Sequence, residues 1–215
     1  SARLPETLTP ETRIQKSIIQ VYANLFRVFR NRIFTLSTLA EMACFFTFFA
    51  YISSSPFILQ QIYGLSPFHF SLCFALNAIT ICIGAALAPQ FKHTNTALKC
   101  GAIDFMIAAA CLSFCLYVHA HLVVVMGFYI YLMISFGLMQ PGLTATALDA
   151  ERKNAGAASA IFGAAGFLAG AISSPIVALG KIEVSSSIVM IVGALLCLLL
   201  TLPLCKMLRG LGKKI

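Results

Sequence analysis

The chain has 215 residues, 60% of them hydrophobic and only 10% charged, with a mean hydropathy of +0.91. So little polar surface excludes a disordered chain and an ordinary soluble domain, and leaves an all-α polytopic membrane protein as the fold class. The net charge of +8 sets 15 Lys and Arg against 7 Asp and Glu, and its meaning depends on where those charges fall.

The segment 1–32 carries Arg3, Arg13, Lys16, Arg27, Arg30 and Arg32. No initiator methionine or signal peptide precedes Ser1, so the chain is expected to begin inside a longer one. Thr9 and Pro10 supply a helix cap and a first-turn proline. Beyond them Ile14, Ile18, Tyr22, Leu25, Phe26 and Phe29 recur at helical spacing among the basic residues. This pattern predicts a basic amphipathic helix lying at the cytoplasmic membrane interface.

Six runs of membrane-spanning length follow, at 33–52, 66–88, 98–118, 122–145, 155–178 and 184–205. Each is continuously apolar rather than alternating with period two, which selects helices over a barrel, and the short connections predict one antiparallel six-helix bundle over 33–206. Residues 207–215 read as a basic cytoplasmic tail.

The first run contains one charge, Glu41, roughly 12 Å past Ile33 by helix rise and so near the middle of a ~30 Å hydrocarbon core. An ionised carboxylate there costs at least ~2.5–3.5 kcal/mol on insertion scales, so it is expected to take up a proton, face a watery cavity or find a cation. Its helical neighbours Ser37, Thr38, Cys44, Phe45 and Phe48 would give it a wall partly polar and partly aromatic. At the far end of the run, Ser53 to Pro56 predict a bend or a broken turn.

The second run offers Asn77 and Thr80, the third Asp104, and the fourth Gln140 beside Gly137, Pro141 and Gly142. Asn77 and Gln140 join Glu41 as cavity-facing candidates, against a competing reading as ordinary contacts between helices worth about 0.6 kcal/mol each. Asp104 is a secondary acid, close enough to the interface for Lys92 or Lys99 to pair with it. Prolines in runs one and four fit two inverted three-helix repeats, in which those helices are equivalent. In the fifth run Gly156, Gly166 and Gly170 lie on small-residue steps that permit close helix packing. Phe45, Phe48, Phe49, Tyr51, Phe57, Tyr129 and Tyr131 are candidate pocket aromatics, although most of the 18 Phe must face lipid or neighbouring helices.

All of the Lys and Arg except Lys181 fall in segments that this topology places on one side. The positive-inside rule then puts both termini in the cytoplasm, so the basic balance is a topology signal and implies no nucleic-acid partner. The eight cysteines fall in or beside the runs and read as small apolar residues. His119 and His121 are too few for a metal site. With no HExxH, no paired intramembrane aspartates and no serine facing a histidine, an intramembrane enzyme is not expected.

Several segments taken in order carry a family resemblance: LPETL at 4–8, FAYISSSPFILQQIYGLSP at 49–67, FALNA at 74–78, QPGLTATAL at 140–148 and AGAASAIFGAAGFLAGAISS at 155–174. Together they resemble the C-terminal half of major facilitator superfamily drug:proton antiporters of the bicyclomycin/chloramphenicol resistance branch. The resemblance implies that the six runs are helices seven to twelve, that 1–32 is an inter-domain segment, and that the partner is an N-terminal six-helix half. It also implies a multi-pass protein of the cell (inner) membrane that exports small molecules on the proton gradient, without a cofactor. The loop at 89–99, PQFKHTNTALK, departs from the superfamily's arginine-rich pattern. A metabolite or sugar carrier of the same superfamily, or a non-transporting membrane fragment that assembles with a partner, are the alternatives.

Overall fold

A computed structural model of the chain describes residues 28–212. Among them six helices are long and apolar enough to cross a membrane. They are α1 (Arg32–Phe57), α2 (Pro67–Leu87), α3 (Thr94–Tyr117), α4 (Leu122–Ala150), α5 (Ala155–Val177) and α6 (Ile182–Gly212). The described residues contain no strand, as expected where every backbone polar group must be satisfied within its own segment.

The packing follows a two-fold pattern. α1 lies against α5 and α6, α4 lies against α2 and α3, and at the centre α3 meets α6 while α1 meets α4. Exchanging α1 with α4, α2 with α5 and α3 with α6 maps each of these contacts onto another or onto itself, which is the arrangement of two inverted three-helix repeats. α2 is the most peripheral helix, and its only buried residues, Asn77, Thr80 and Gly84, fall on one helical face.

Local chemistry fixes the ends. Asn31 caps α1, its Oδ1 accepting from the N–H groups of Ile33 and Phe34 at 3.0 and 3.4 Å. The Asn31 amide also donates to the Ala150 carbonyl at 2.8 Å and to Glu151 Oε1 at 3.1 Å. One side chain thus ties the start of α1 to the end of α4, its equivalent in the other repeat. Ser66 caps α2, with Pro67 in the first turn where its missing donor is harmless. At the opposite end of the bundle the Tyr63 hydroxyl donates to the Ala120 carbonyl at 2.8 Å and joins two loops.

The helices outrun the apolar runs that announce them. Ser53 to Pro56 do not break α1, which carries Pro56 inside it and passes into one wide π-helical turn at Ile58–Ile62. A proline withholds one donor and crowds the preceding turn, and the widened turn absorbs that mismatch without ending the helix. α4 likewise runs unbroken through Pro141 to Ala150, and α5 and α6 contain Pro175 and Pro203. Proline therefore does not single out helices one and four, and the repeat is legible in the packing instead. Most of the expected tail at 207–215 is the end of α6, which continues to Gly212. Of the amphipathic helix expected from Pro10 to Arg30, all but Val28–Arg30, a single 3-10 turn, lies outside the described residues.

Candidate functional site

At the crossing of α1 and α4 the first polar layer is built from Thr38 and Glu41 on one face of α1 and Gln140 on α4. Glu41 is only 4% exposed. It sits within the bundle and not on an exposed face. The Gln140 side chain is the one placed to approach the Glu41 carboxyl, yet no bond closes at normal length and angle. Among the described residues, Thr38 Oγ1, Glu41 Oε2 and Gln140 Nε2 all lack hydrogen-bond partners. Three unmet polar groups in a membrane core are costly, so the fold keeps here a polar site with unused bonding capacity.

Next along α1 comes an aromatic layer. Phe48 stacks on Phe136 of α4 with ring centroids 4.5 Å apart. Phe45 meets the same ring edge-on at 5.6 Å and meets Phe167 of α5 at 6.2 Å. Phe136 and Gln140 are one helical turn apart on the same face of α4, and that spacing was a signal available in the sequence. Phe167 had no such signal, because it is a bulky residue between the small residues Gly166 and Gly170 that admit α1.

A second polar layer lies further along, about 15 Å from Glu41 by helix rise at Tyr51. Asn77 Nδ2 donates to the Tyr51 hydroxyl at 3.0 Å, joining α2 to α1, and the Tyr51 ring stands 5.1 Å from that of Tyr129. Asn77 Oδ1, Ser55 Oγ and the Tyr129 hydroxyl have no partner. Glu41 and Gln140 are thus brought together, while Asn77 belongs to a separate layer with the aromatic rings between.

Asp104 takes neither lysine as its partner. The Tyr131 hydroxyl of α4 donates to Asp104 Oδ1 at 2.9 Å, so Tyr131 anchors α3 to α4 and does not line the aromatic layer. Phe57 also stands apart and is largely exposed. Gly156 packs nothing, since a Cβ there would meet open space. Gly166 and Gly170 lie under the rings of Phe45 and Phe49.

The family model described as Major Facilitator Superfamily matches residues 2–174. The chain is 33% identical over 183 residues to an uncharacterised MFS-type transporter, YdgK of Bacillus subtilis (strain 168), an overlap of 83% of this chain and 45% of that protein. It spans about half the length of the relative it matches. Six membrane-length helices, packed as two inverted triplets and matched over most of their length by the family model, make this a multi-pass membrane protein that belongs to the Major Facilitator Superfamily.

Proposed function

We propose that this chain is the C-terminal half, helices seven to twelve, of a proton-coupled efflux transporter for small amphiphilic molecules, working by alternating access against an N-terminal six-helix half. In this reading it resides in the cell (inner) membrane with both ends of the chain cytoplasmic, in line with the basic residues that flank the helices on one side. It draws on the proton gradient and needs no cofactor. The observation that carries the proposal is the α1–α4 crossing, where Glu41 and Gln140 hold unmet polar atoms directly beside the Phe45, Phe48 and Phe136 cluster.

The two layers suit the two ligands. A carboxyl within a membrane core can exchange a proton as access alternates, with Gln140 beside it as a polar neighbour. The phenylalanine rings present apolar faces that accept flat hydrophobic substrates of varied shape. The isosteric change Glu41→Gln in the full-length protein removes the exchangeable proton and keeps the volume. Proton-driven efflux in inverted vesicles is expected to fall at least tenfold, a loss of about 1.4 kcal/mol in coupling. Wild-type efflux with unchanged dependence on the proton gradient overturns the role of Glu41.

A further inference from the structure

One turn from Glu41, α1 carries Cys44, and its sulfur belongs to a cluster that neither the topology nor the transport reading uses. Cys44 Sγ lies 3.2 Å from Cys197 Sγ of α6. The thioether of Met139, on α4, stands 4.0 Å from the first sulfur and 3.9 Å from the second. All three side chains are fully buried. The thiols are free, since a disulfide needs sulfurs about 2.05 Å apart. Three different helices therefore bring one sulfur each to a common point in the bundle.

From this convergence we infer that Cys44, Cys197 and Met139 form a binding site for a monovalent soft cation, Cu(I). Thiolate and thioether donors select Cu(I) over the oxygen-loving cations of water. Metal–sulfur bonds of about 2.3 Å in a trigonal plane place the sulfurs about 4.0 Å from one another. Two edges of the triangle already have that length, and the third opens by roughly 0.8 Å as the thiols part around the ion. Zinc is disfavoured because it requires a fourth strong donor, and the oxygen that contacts the sulfur cluster is the weakly donating Thr201 hydroxyl, 3.9 Å from Cys197 Sγ. As the ion enters, both thiols become thiolates and their two protons pass to bulk solvent outside the bundle, leaving a bound unit with one net negative charge, and no atom changes oxidation state. The bound ion would join α1, α4 and α6, three of the four helices that meet at the centre of the two-fold packing.

The test uses the purified full-length protein under anaerobic, reducing conditions, titrated with Cu(I) released from a chromophoric Cu(I) chelator. One ion is expected per protein, with an X-ray absorption shell of three sulfurs at about 2.3 Å. Cys44→Ala or Cys197→Ala should weaken binding at least about 100-fold, and Met139→Leu about tenfold with two sulfurs left in the shell. A complementary variant replaces every other cysteine of the full-length protein with alanine, in this chain Cys73, Cys82, Cys100, Cys111, Cys115 and Cys205, and is expected to keep the full equivalent. That variant decides the matter even if the core substitutions fail to fold. No Cu(I) bound by the wild type, undiminished binding in the Cys44→Ala/Cys197→Ala double variant, or loss of binding in the complementary variant would each overturn the site.

Discussion

Two seams that the two-fold packing makes equivalent are built in different ways. Where α2 crosses α4, backbone meets backbone: a Cβ on Gly84 would run into the carbonyl oxygen of Ile134, and a Cβ on Gly137 into that of Ile81. Where α5 crosses α1, Gly166 and Gly170 receive the rings of Phe45 and Phe49. A carbonyl in a helix cannot move aside without disturbing its hydrogen bond, whereas a ring can turn about its own torsions. The first seam thus fixes two helices to each other, and the second leaves an adjustable layer of side chains between them. The adjustable seam includes Phe45, one turn from Glu41, so the symmetry of the repeat is broken beside that polar layer.

The contrast is broken most severely at the rigid seam. Gly137→Ala is expected to exceed the roughly 1–3 kcal/mol typical of an overpacked core, because no neighbour can yield. Little folded protein should be recovered from detergent extracts, and thermal unfolding of what remains should shift far down. No side-chain change nearby should rescue it. A Gly137→Ala protein that melts like the wild type would show that the α2–α4 crossing is looser than these contacts imply.

The soft seam should respond differently to the same change. At Gly170 a new Cβ would stand 2.5 Å from Cγ of Phe49, so Gly170→Ala requires the ring to swing and costs on the order of 1–3 kcal/mol. Here a partner change does rescue: Phe49→Leu in the same chain should recover most of the lost stability. Failure of that double variant would place the two seams in one mechanical class. At Gly166 the nearest ring atoms of Phe45 are 3.2 Å away, a distance that a small shift relieves. Replacing a mid-helix glycine by alanine gains about 0.8–1 kcal/mol of helix propensity, so Gly166→Ala is expected to melt within about 0.5 kcal/mol of wild type. If the proposed efflux function holds, its effect should appear in which substrates are exported, since Phe45 also contacts Phe136.

How much of this the sequence disclosed differs from residue to residue. The six spans were legible because bilayer thickness dictates their length, and Glu41 was legible because an acid in such a run is conspicuous. Their ends were not, because Ser53 to Ser55, Thr146 to Ala150 and Met207 to Gly212 are helical without being continuously apolar. The direction in which Glu41 points was hidden for another reason. A helix that is apolar all round carries no stripe to mark its inner face, so only packing could show that Glu41 turns toward α4. Glycine partners were equally illegible. Gly84 and Gly137 lie in different helices with nothing in either run to pair them, while the conspicuous step beginning at Gly156 proved empty.

Gly156 supplies the smallest and most discriminating comparison. It occupies the first turn of α5, is exposed, and has no atom of any other described element within 4 Å of the position where a Cβ would stand. If close approach were a general property of glycine in this bundle, Gly156→Ala would disturb α5 as Gly170→Ala does. If the cost comes from the particular neighbour, Gly156→Ala should instead be neutral or stabilising by up to about 0.5 kcal/mol, because alanine is the better helix former and the first turn frays. Melting curves of Gly137→Ala, Gly170→Ala and Gly156→Ala in one detergent then rank the neighbours directly: a carbonyl, a ring and empty space. A drop for Gly156→Ala comparable to that for Gly170→Ala would mean that residues before Val28 or a partner chain cover the start of α5, and the seam facing α1 would have to be redrawn to include them.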